Sequence, residues 1–97
     1  MKLTVEQALQ KGIEARKNGQ VQKANKHFTD ILGAQPKHAL ANHHMGLLAE
    51  SASNFQAALV FFKIALEASP KNNQFWLSYI RNLINLDRIS DAQALLS

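Results

Sequence analysis

The strongest constraint on the fold of this chain is an internal repeat of 34 residues. Several residue types recur at this offset: Pro36 and Pro70, Gly12 and Gly46, Phe28 and Phe62, and Ala24, Ala58 and Ala92. Self-similarity at a fixed period of about 20–50 residues is typical of repeat architectures, in which each unit buries its apolar face against its neighbours. The chain is therefore predicted to be a stack of similar units.

Each unit is predicted to contain two helices joined by a tight turn. Thr4 followed three residues later by Gln7 indicates a capping box at the start of the first helix. Apolar residues then recur at helical spacing, and Asn18-Gly19 is a strong turn signal because glycine readily takes the left-handed conformation. Pro36 prevents the second helix from continuing.

The same plan is predicted for the later units. In the middle unit the first helix covers residues 39–52, and Asn54 caps the second helix, which Pro70 ends. In the third unit, Asp87-Arg88 is predicted to form the turn, with the second helix beginning near Ile89 and running to the end of the chain.

These residues resemble the tetratricopeptide repeat family, whose 34-residue pattern is W-x2-L-G-x2-Y … A-x3-F … P. The matching segments are Ala24-x3-Phe28, Ala58-x3-Phe62, Met45-Gly46-x2-Ala49 and Trp76-x2-Tyr79-x3-Leu83, with Ile80 where glycine is usual. The resemblance implies an all-α fold in which helix-turn-helix repeats stack as a right-handed superhelix, an α-α solenoid. It divides a single domain at 1–97 into repeats at 5–38 and 39–72 and a truncated repeat at 73–97.

Catalytic and metal-binding patterns are missing from the sequence. There is no cysteine, so thiolate metal sites and cysteine nucleophiles are excluded. His43 and His44 are adjacent and project about 100° apart on a helix, which does not suit a shared zinc ion. No glycine-rich phosphate loop or nucleophile context is present. We expect no enzymatic activity, no metal and no cofactor.

The family resemblance implies that the first helix of each unit lines a concave groove that binds a peptide. The residues at the groove positions are Leu9, Ile13, Arg16, Lys17, His43, Leu47, Glu50, Gln74, Leu77 and Arg81. The lining is mixed apolar and basic, so the expected function is a non-catalytic scaffold that binds a protein or peptide segment with aliphatic anchors and some acidic character. The carboxylate clamp of co-chaperone members is not expected, because its positions hold Leu9, Ile13, His44, Gln74 and Ser78.

Charge favours an acidic partner over nucleic acid. The formal net charge is +4, and the excess lies within residues 1–38, where a local positive field could attract an acidic segment. The aromatic residues fall on core positions of the repeat rather than forming a stacking platform. We expect neither nucleic acid nor a membrane as partner: no apolar run approaches the roughly 18 residues that span a bilayer, and a cytoplasmic location is predicted.

The third unit stops within its expected second helix, which leaves the flank of Tyr79, Leu83 and Leu86 without a neighbour. Two interpretations remain open. The chain resembles bacterial repeat arrays that precede a glycosyl- or sulfotransferase domain, so it could be the N-terminal arm of a larger enzyme that presents substrate or mediates assembly. Alternatively, a homodimer covers the flank of the third repeat.

Overall fold

The computed structural model describes residues 3–96, with side chains described for residues 3–90. The helices are α1 (Val5–Lys17), α2 (Val21–Ala34), α3 (Ala39–Ser51), α4 (Phe55–Ala68) and α5 (Asn73–Leu96). No strand occurs between residues 3 and 96. The predicted all-α fold class is confirmed. Ala92, the third alanine of the repeat, falls where side chains are not described.

Helices α1, α3 and α5 each begin at a side-chain cap, and the three capping residues are 34 positions apart. The Thr4 hydroxyl accepts a hydrogen bond from the Gln7 backbone N–H at 3.1 Å, and the Gln7 side chain accepts one from the Thr4 N–H at 3.0 Å, so the predicted capping box is confirmed. At the equivalent positions His38 Nδ1 and Asn72 Oδ1 accept from the backbone N–H three residues on. Three different side chains thus accept from the equivalent unpaired backbone N–H in the first turn of each helix.

The first two hairpin turns use a residue in the left-handed conformation. Gly19 has φ +76°, as the Asn18-Gly19 signal predicts, and Ser53 takes φ +59° at the equivalent place in the second hairpin. Asn54 Oδ1 then accepts from the Ala57 N–H at 3.3 Å, which confirms it as the cap of α4. Because left-handed backbone is strained for a side chain that has a Cβ, Ser53 carries a cost that Gly19 does not.

The predicted turn at Asp87-Arg88 is wrong. Helix α5 runs without interruption for 24 residues, so no second helix begins near Ile89. The positions of Asp87 and Arg88 are those of Gly19-Gln20 and Ser53-Asn54 in the hairpins. Asp87 lacks the conformational freedom of Gly19, and Arg88 lacks the side-chain oxygen with which Asn54 caps α4. The helical hydrogen bonds continue through both residues.

The packing of the helices sets the curvature of the stack. Helix α1 contacts α3 and α3 contacts α5, whereas α2 and α4 contact their hairpin partners and α3 or α5 but not each other. The first helices of the units therefore lie closest together, on the inner side of the curve. The core between the first three helices includes Ala8, Ala24, Phe28, Ile31 and Ala41, all fully buried.

Two glycines allow the paired helices of each hairpin to approach closely. A Cβ atom added to Gly12 would lie 2.5 Å from a ring carbon of Phe28, and one added to Gly46 would overlap the ring of Phe62 in the same way. These two recurring glycines thus hold positions of the repeat at which a side chain would not fit. Phe28 also stacks on His44 of the next hairpin, with ring centroids 5.3 Å apart.

Candidate binding groove on the inner helices

The ten residues predicted to line the groove all lie on α1, α3 and α5, the inner helices of the stack. Lys17, Gln74, Leu77 and Arg81 are exposed, and Leu9, Ile13, Arg16, Leu47 and Glu50 are partly exposed. Leu9 and Ile13 also pack against the core between the first two hairpins. His43 differs from the rest because it is only 8% exposed.

His43 forms the floor beneath the groove and joins α3 to α5. Its Nε2 atom lies 2.9 Å from the Ser78 hydroxyl oxygen, within hydrogen-bond distance. Its ring lies over Phe75 at a centroid distance of 4.6 Å and beside Phe62 at 5.7 Å. This buried contact means that His43 supports the groove from below and offers little of its own surface to a ligand.

His44 continues this floor toward α1. It is 9% exposed and stacks on Phe28 at an interplanar angle of 10°. Its ring meets that of His43 edge-on, with centroids 5.7 Å apart. Rings from α2, α3 and α5 therefore form one continuous row. The Nδ1 atom of His44 is buried and has no hydrogen-bond partner.

Both imidazoles are less basic than a free histidine. Burial, followed by the positive charges of Arg16 and Arg81, lowers the pKa of His43 from 6.5 to about 4, while Glu50 acts in the opposite direction. Burial, Arg16, His43 and Lys17 lower the pKa of His44 to about 4 as well. Near neutral pH the floor is therefore uncharged, and each ring has one N–H donor and one acceptor nitrogen.

Arg81 on α5 is paired with Glu50 on α3. The Arg81 Nη2 and Nε atoms donate to the two carboxylate oxygens at 2.6 and 2.9 Å, a bidentate arrangement. The hydrogen bond from Arg81 to Glu50 raises the pKa of the arginine. Two predicted groove residues thus satisfy each other across adjacent inner helices, and the α5 end of the groove is close to electrically neutral.

Arg16 on α1 has a different environment. Its Nε atom is buried and lacks a hydrogen-bond partner, and the ion pairs within residues 3–90 are Lys26–Asp30 and Arg81–Glu50. A buried donor without an acceptor costs on the order of 1–3 kcal/mol. Arg16 and the neighbouring Lys17 therefore make the α1 end of the groove its positive end.

Residues 49–97 match the model of the tetratricopeptide repeat among known protein families. The chain belongs to the tetratricopeptide repeat family. The resemblance seen in the sequence is confirmed. Repeats of this family generally serve as protein-interaction modules and not as catalysts, which supports the broad functional prediction. A comparison with curated proteins gives no match.

At the tryptophan position of the tetratricopeptide pattern, two different side chains make the same hydrogen bond. Trp76 Nε1 donates to the Pro70 carbonyl oxygen at 2.7 Å. In the preceding repeat Asn42 Nδ2 donates to the Pro36 carbonyl at 3.1 Å. Each bond ties the first helix of one repeat to the proline that ends the previous one. The donor is retained although the residue type is not.

Four residues of the floor and its support were missed as candidate site residues by sequence reasoning: His44, Phe75, Ser78 and Asn82. Asn82 is fully buried and donates through Nδ2 to the Phe55 carbonyl at 3.0 Å, which holds the start of α4 against α5. His44 and Ser78 are 34 residues apart. The occurrence of polar residues at equivalent positions of two inner helices could have indicated His44 and Ser78 as site residues.

A cavity of about 400 Å³ lies away from the candidate groove residues, lined by Pro36 and Lys37 of the α2–α3 loop and by residues Ile64, Glu67 and Ala68 of α4. Within the described part of the chain, no helix has the length and apolar character needed to cross a membrane.

Proposed function

We propose that this tetratricopeptide repeat protein is a non-catalytic interaction scaffold that binds an extended segment of a partner protein along α1, α3 and α5. An acidic side chain of that segment binds at the α1 end. The observation that carries the proposal is the buried, unpartnered Nε–H of Arg16, which lies within electrostatic range of His44, whose Nδ1 is also unpartnered.

Both atoms are buried in the free protein, so binding requires the Arg16 and His44 side chains to turn toward the groove. A carboxylate then satisfies both groups, because its oxygens accept from the Arg16 Nε–H and from His44 in the tautomer that carries its proton on Nδ1. Hydrogen bonds from a guanidinium to a carboxylate are roughly twice as strong as neutral ones, and Lys17 adds to the positive field. A low pKa does not weaken this role, because a neutral imidazole still has one N–H to donate.

Apolar contacts set the rest of the specificity. Leu9, Ile13 and Leu47 are partly exposed, and Leu77 is 60% exposed. Aliphatic side chains of the bound segment bury these surfaces, at about 25 cal/mol for each Å² removed from water. Because the Glu50–Arg81 pair leaves the α5 end near neutrality, the expected segment carries its acidic residue toward α1 and its aliphatic residues toward α5.

A random dodecapeptide library displayed on phage tests this proposal. The expected result is enrichment of sequences with one Asp or Glu and two or more aliphatic residues. A synthetic peptide from the enriched set is then titrated by fluorescence anisotropy. We expect Arg16→Gln to weaken binding about tenfold or more, which corresponds to about 1.4 kcal/mol.

Lys23→Gln is the matched control, because Lys23 is an exposed cation on α2, away from the inner helices. It removes the same charge and is expected to change the dissociation constant by less than about twofold, since exposed charges at a distance are screened. Failure to enrich any peptide, or equal affinities for wild type and Arg16→Gln, would overturn the proposal.

A further inference from the structure

One side of α5 carries a row of exposed apolar side chains, which we call the α5 stripe. Its members are Trp76, Leu77, Ile80, Leu83 and Ile84, and each of them is between 39% and 60% exposed. At about 100° per residue, the five side chains project within an arc of about 120° on the helix surface. A contiguous exposed apolar surface of this kind marks an interaction site.

The α5 stripe points away from the rest of the protein. Phe75, Ser78 and Asn82, which pack α5 against α3 and α4, are at most 3% exposed. They project about 140–160° away from Ile80, the middle residue of the stripe. A helix that packs on the stripe therefore lies on the side of α5 opposite to α3 and α4.

The spacing along the stripe is typical of helices that pack side by side. Ile80 lies seven residues from both Asn73 and Asp87, and Trp76 lies seven residues from Leu83. Residues seven apart are separated by two helical turns and lie almost in line, as do the contact positions of a coiled coil. Because Asn73 and Asp87 are polar and exposed, this seam is apolar in its middle and polar at both ends.

A helix that covers the stripe cannot pack as α2 and α4 do in the hairpins. A Cβ atom added to Gly12 would lie 2.5 Å from a ring carbon of Phe28. Ile80 occupies the position of Gly12 and Gly46 on α5. A covering helix must therefore lie farther from α5, toward the wider end of the range of about 8–10 Å between the axes of packed helices.

The surface that best matches the α5 stripe is the same stripe on another molecule. Among residues 3–90, the large exposed apolar side chains outside α5 are Val21, Leu40 and Val60, and each lies on a different helix. At the other end of the stack the exposed residues of α1 are all polar, namely Glu6, Gln7, Gln10, Lys11, Glu14 and Lys17. Head-to-tail contact would therefore place charged groups on the stripe.

We propose that a second copy of this chain covers the α5 stripe, through antiparallel packing of the two α5 helices about a two-fold axis beside Ile80. Ile80 then contacts Ile80 of the other copy, and Trp76 of each copy contacts Leu83 of the other. Leu77 and Ile84 pair in the same reciprocal way along the edge of the stripe nearest the candidate groove. Every residue in this contact lies on one face of its helix, so the interface is self-complementary.

Antiparallel packing also matches the polar ends of the stripe. Asn73 of one copy lies beside Asp87 of the other, where the amide can donate a hydrogen bond to the carboxylate. Asp87 is then close to the first turn of the other α5, where the helix dipole and the exposed Lys71 are positive. Parallel packing in register would instead bring two Asp87 carboxylates together, which is unfavourable.

The variant Ile80→Glu tests this association. Because residue 80 meets its own copy, the variant opposes two carboxylates at the centre of an apolar contact, where burying charge is costly. In sedimentation equilibrium at about 100 μM, we expect the wild type to have twice the 10.8 kDa mass of the chain and Ile80→Glu to be monomeric. Circular dichroism should show the same helix content for both, since residue 80 is exposed on the single chain.

Val60→Glu is the matched control for this experiment. It makes a similar change at a residue that is 57% exposed on α4, outside the stripe, and it should remain dimeric. A monomeric wild type overturns the proposal, because the stripe would then be left to a different protein or to a further segment of chain. An equally stable dimer in Ile80→Glu also overturns it, because the contact would then lie elsewhere.

Single cysteines in this naturally cysteine-free chain test the register. About the proposed axis the two copies of residue 80 meet, whereas the two copies of residue 73 are about 21 Å apart at a rise of about 1.5 Å per residue. A disulfide requires Cα atoms within about 7 Å of each other. Oxidation of Ile80→Cys should therefore give a disulfide-linked dimer on a non-reducing gel, and Asn73→Cys should give little. Equal cross-linking of the two variants would contradict the antiparallel arrangement.

Discussion

Helices α3 and α5 hold the same place in their repeats, yet some of their equivalent positions differ in both polarity and burial. On α3, the polar residues Asn42, His43 and His44 are at most 9% exposed. On α5, the apolar residues Trp76 and Leu77, at the positions of Asn42 and His43, are 44% and 60% exposed. Helices from both neighbouring repeats cover α3, whereas within the described residues α5 contacts only α3 and α4. In this repeat array, position in the stack decides burial more than the polarity of the side chain does.

The largest effect is expected from acidification, which acts through the two buried histidines of the covered helix α3. Because the pKa values of His43 and His44 are about 4 in the folded state, against 6.5 for a free histidine, the unfolded chain binds more protons than the folded chain between pH 4 and 6.5. The free energy of unfolding therefore has its full value above pH 6.5. It decreases as the pH drops toward 4, by up to about 1.4 kcal/mol per pH unit for each histidine.

Urea unfolding followed by circular dichroism from pH 7.5 to 4 measures this dependence. His44→Gln keeps a polar side chain of similar length without the titrating ring, and it should reduce the pH slope. A pH profile that is identical in wild type and in His44→Gln would show that this ring does not couple folding to protonation.

The second largest effect is expected at the glycine where α4 covers α3. Gly46→Leu forces a side chain into the ring of Phe62 and should lower the free energy of unfolding by about 1–3 kcal/mol or more. The uncovered α5 already carries Ile80 at this position, half exposed. Thermal unfolding by circular dichroism provides the measurement.

Gly33→Leu makes the same chemical change at a helical glycine where an added Cβ meets no atom within 4 Å. It should leave the melting temperature unchanged or raise it slightly, since leucine favours helix over glycine. Equal melting temperatures for the two variants would refute the close contact of α3 with α4.

Ser78 tests one of the places where α5 is as well covered as α3. It is 3% exposed and lies against His43, so Ser78→Ala leaves a buried imidazole nitrogen without a partner and should cost about 1–2 kcal/mol. Ser51→Ala, at an exposed position of α3, should change the stability by less than about 0.5 kcal/mol. Denaturant titrations of both variants would distinguish a structural hydrogen bond from a chance proximity.

The smallest expected effects concern the turns that fold the second helices back over the first. Ser53→Gly relieves a positive φ and should stabilise the chain by about 0.5–1 kcal/mol, whereas Gly19→Ala introduces the same strain and should destabilise it by about 1 kcal/mol. Chemical denaturation measures both changes. Shifts of the same sign would contradict the view that the two turns share one backbone conformation.

Many local features of this protein could be predicted from the sequence alone, because caps, turns and the repeat register depend on residue types over short stretches of the chain. The capping box at Thr4 and Gln7, the left-handed Gly19, the cap at Asn54 and the small residues at Gly12 and Gly46 all follow from residue type and spacing. The placement of the candidate groove residues on the inner helices came instead from the resemblance to the tetratricopeptide repeat family.

Only the tertiary structure decided which of those residues contact each other and which keep a free hydrogen-bonding group. The bidentate pairing of Glu50 with Arg81, the buried bond of His43 with Ser78 and the unpartnered Arg16 depend on how three helices distant in sequence are set side by side. The continuity of α5 through Asp87 and Arg88 also had to be seen. A turn there requires the loss of helical hydrogen bonds. Whether burial of apolar surface by a returning helix offsets that loss depends on the tertiary structure.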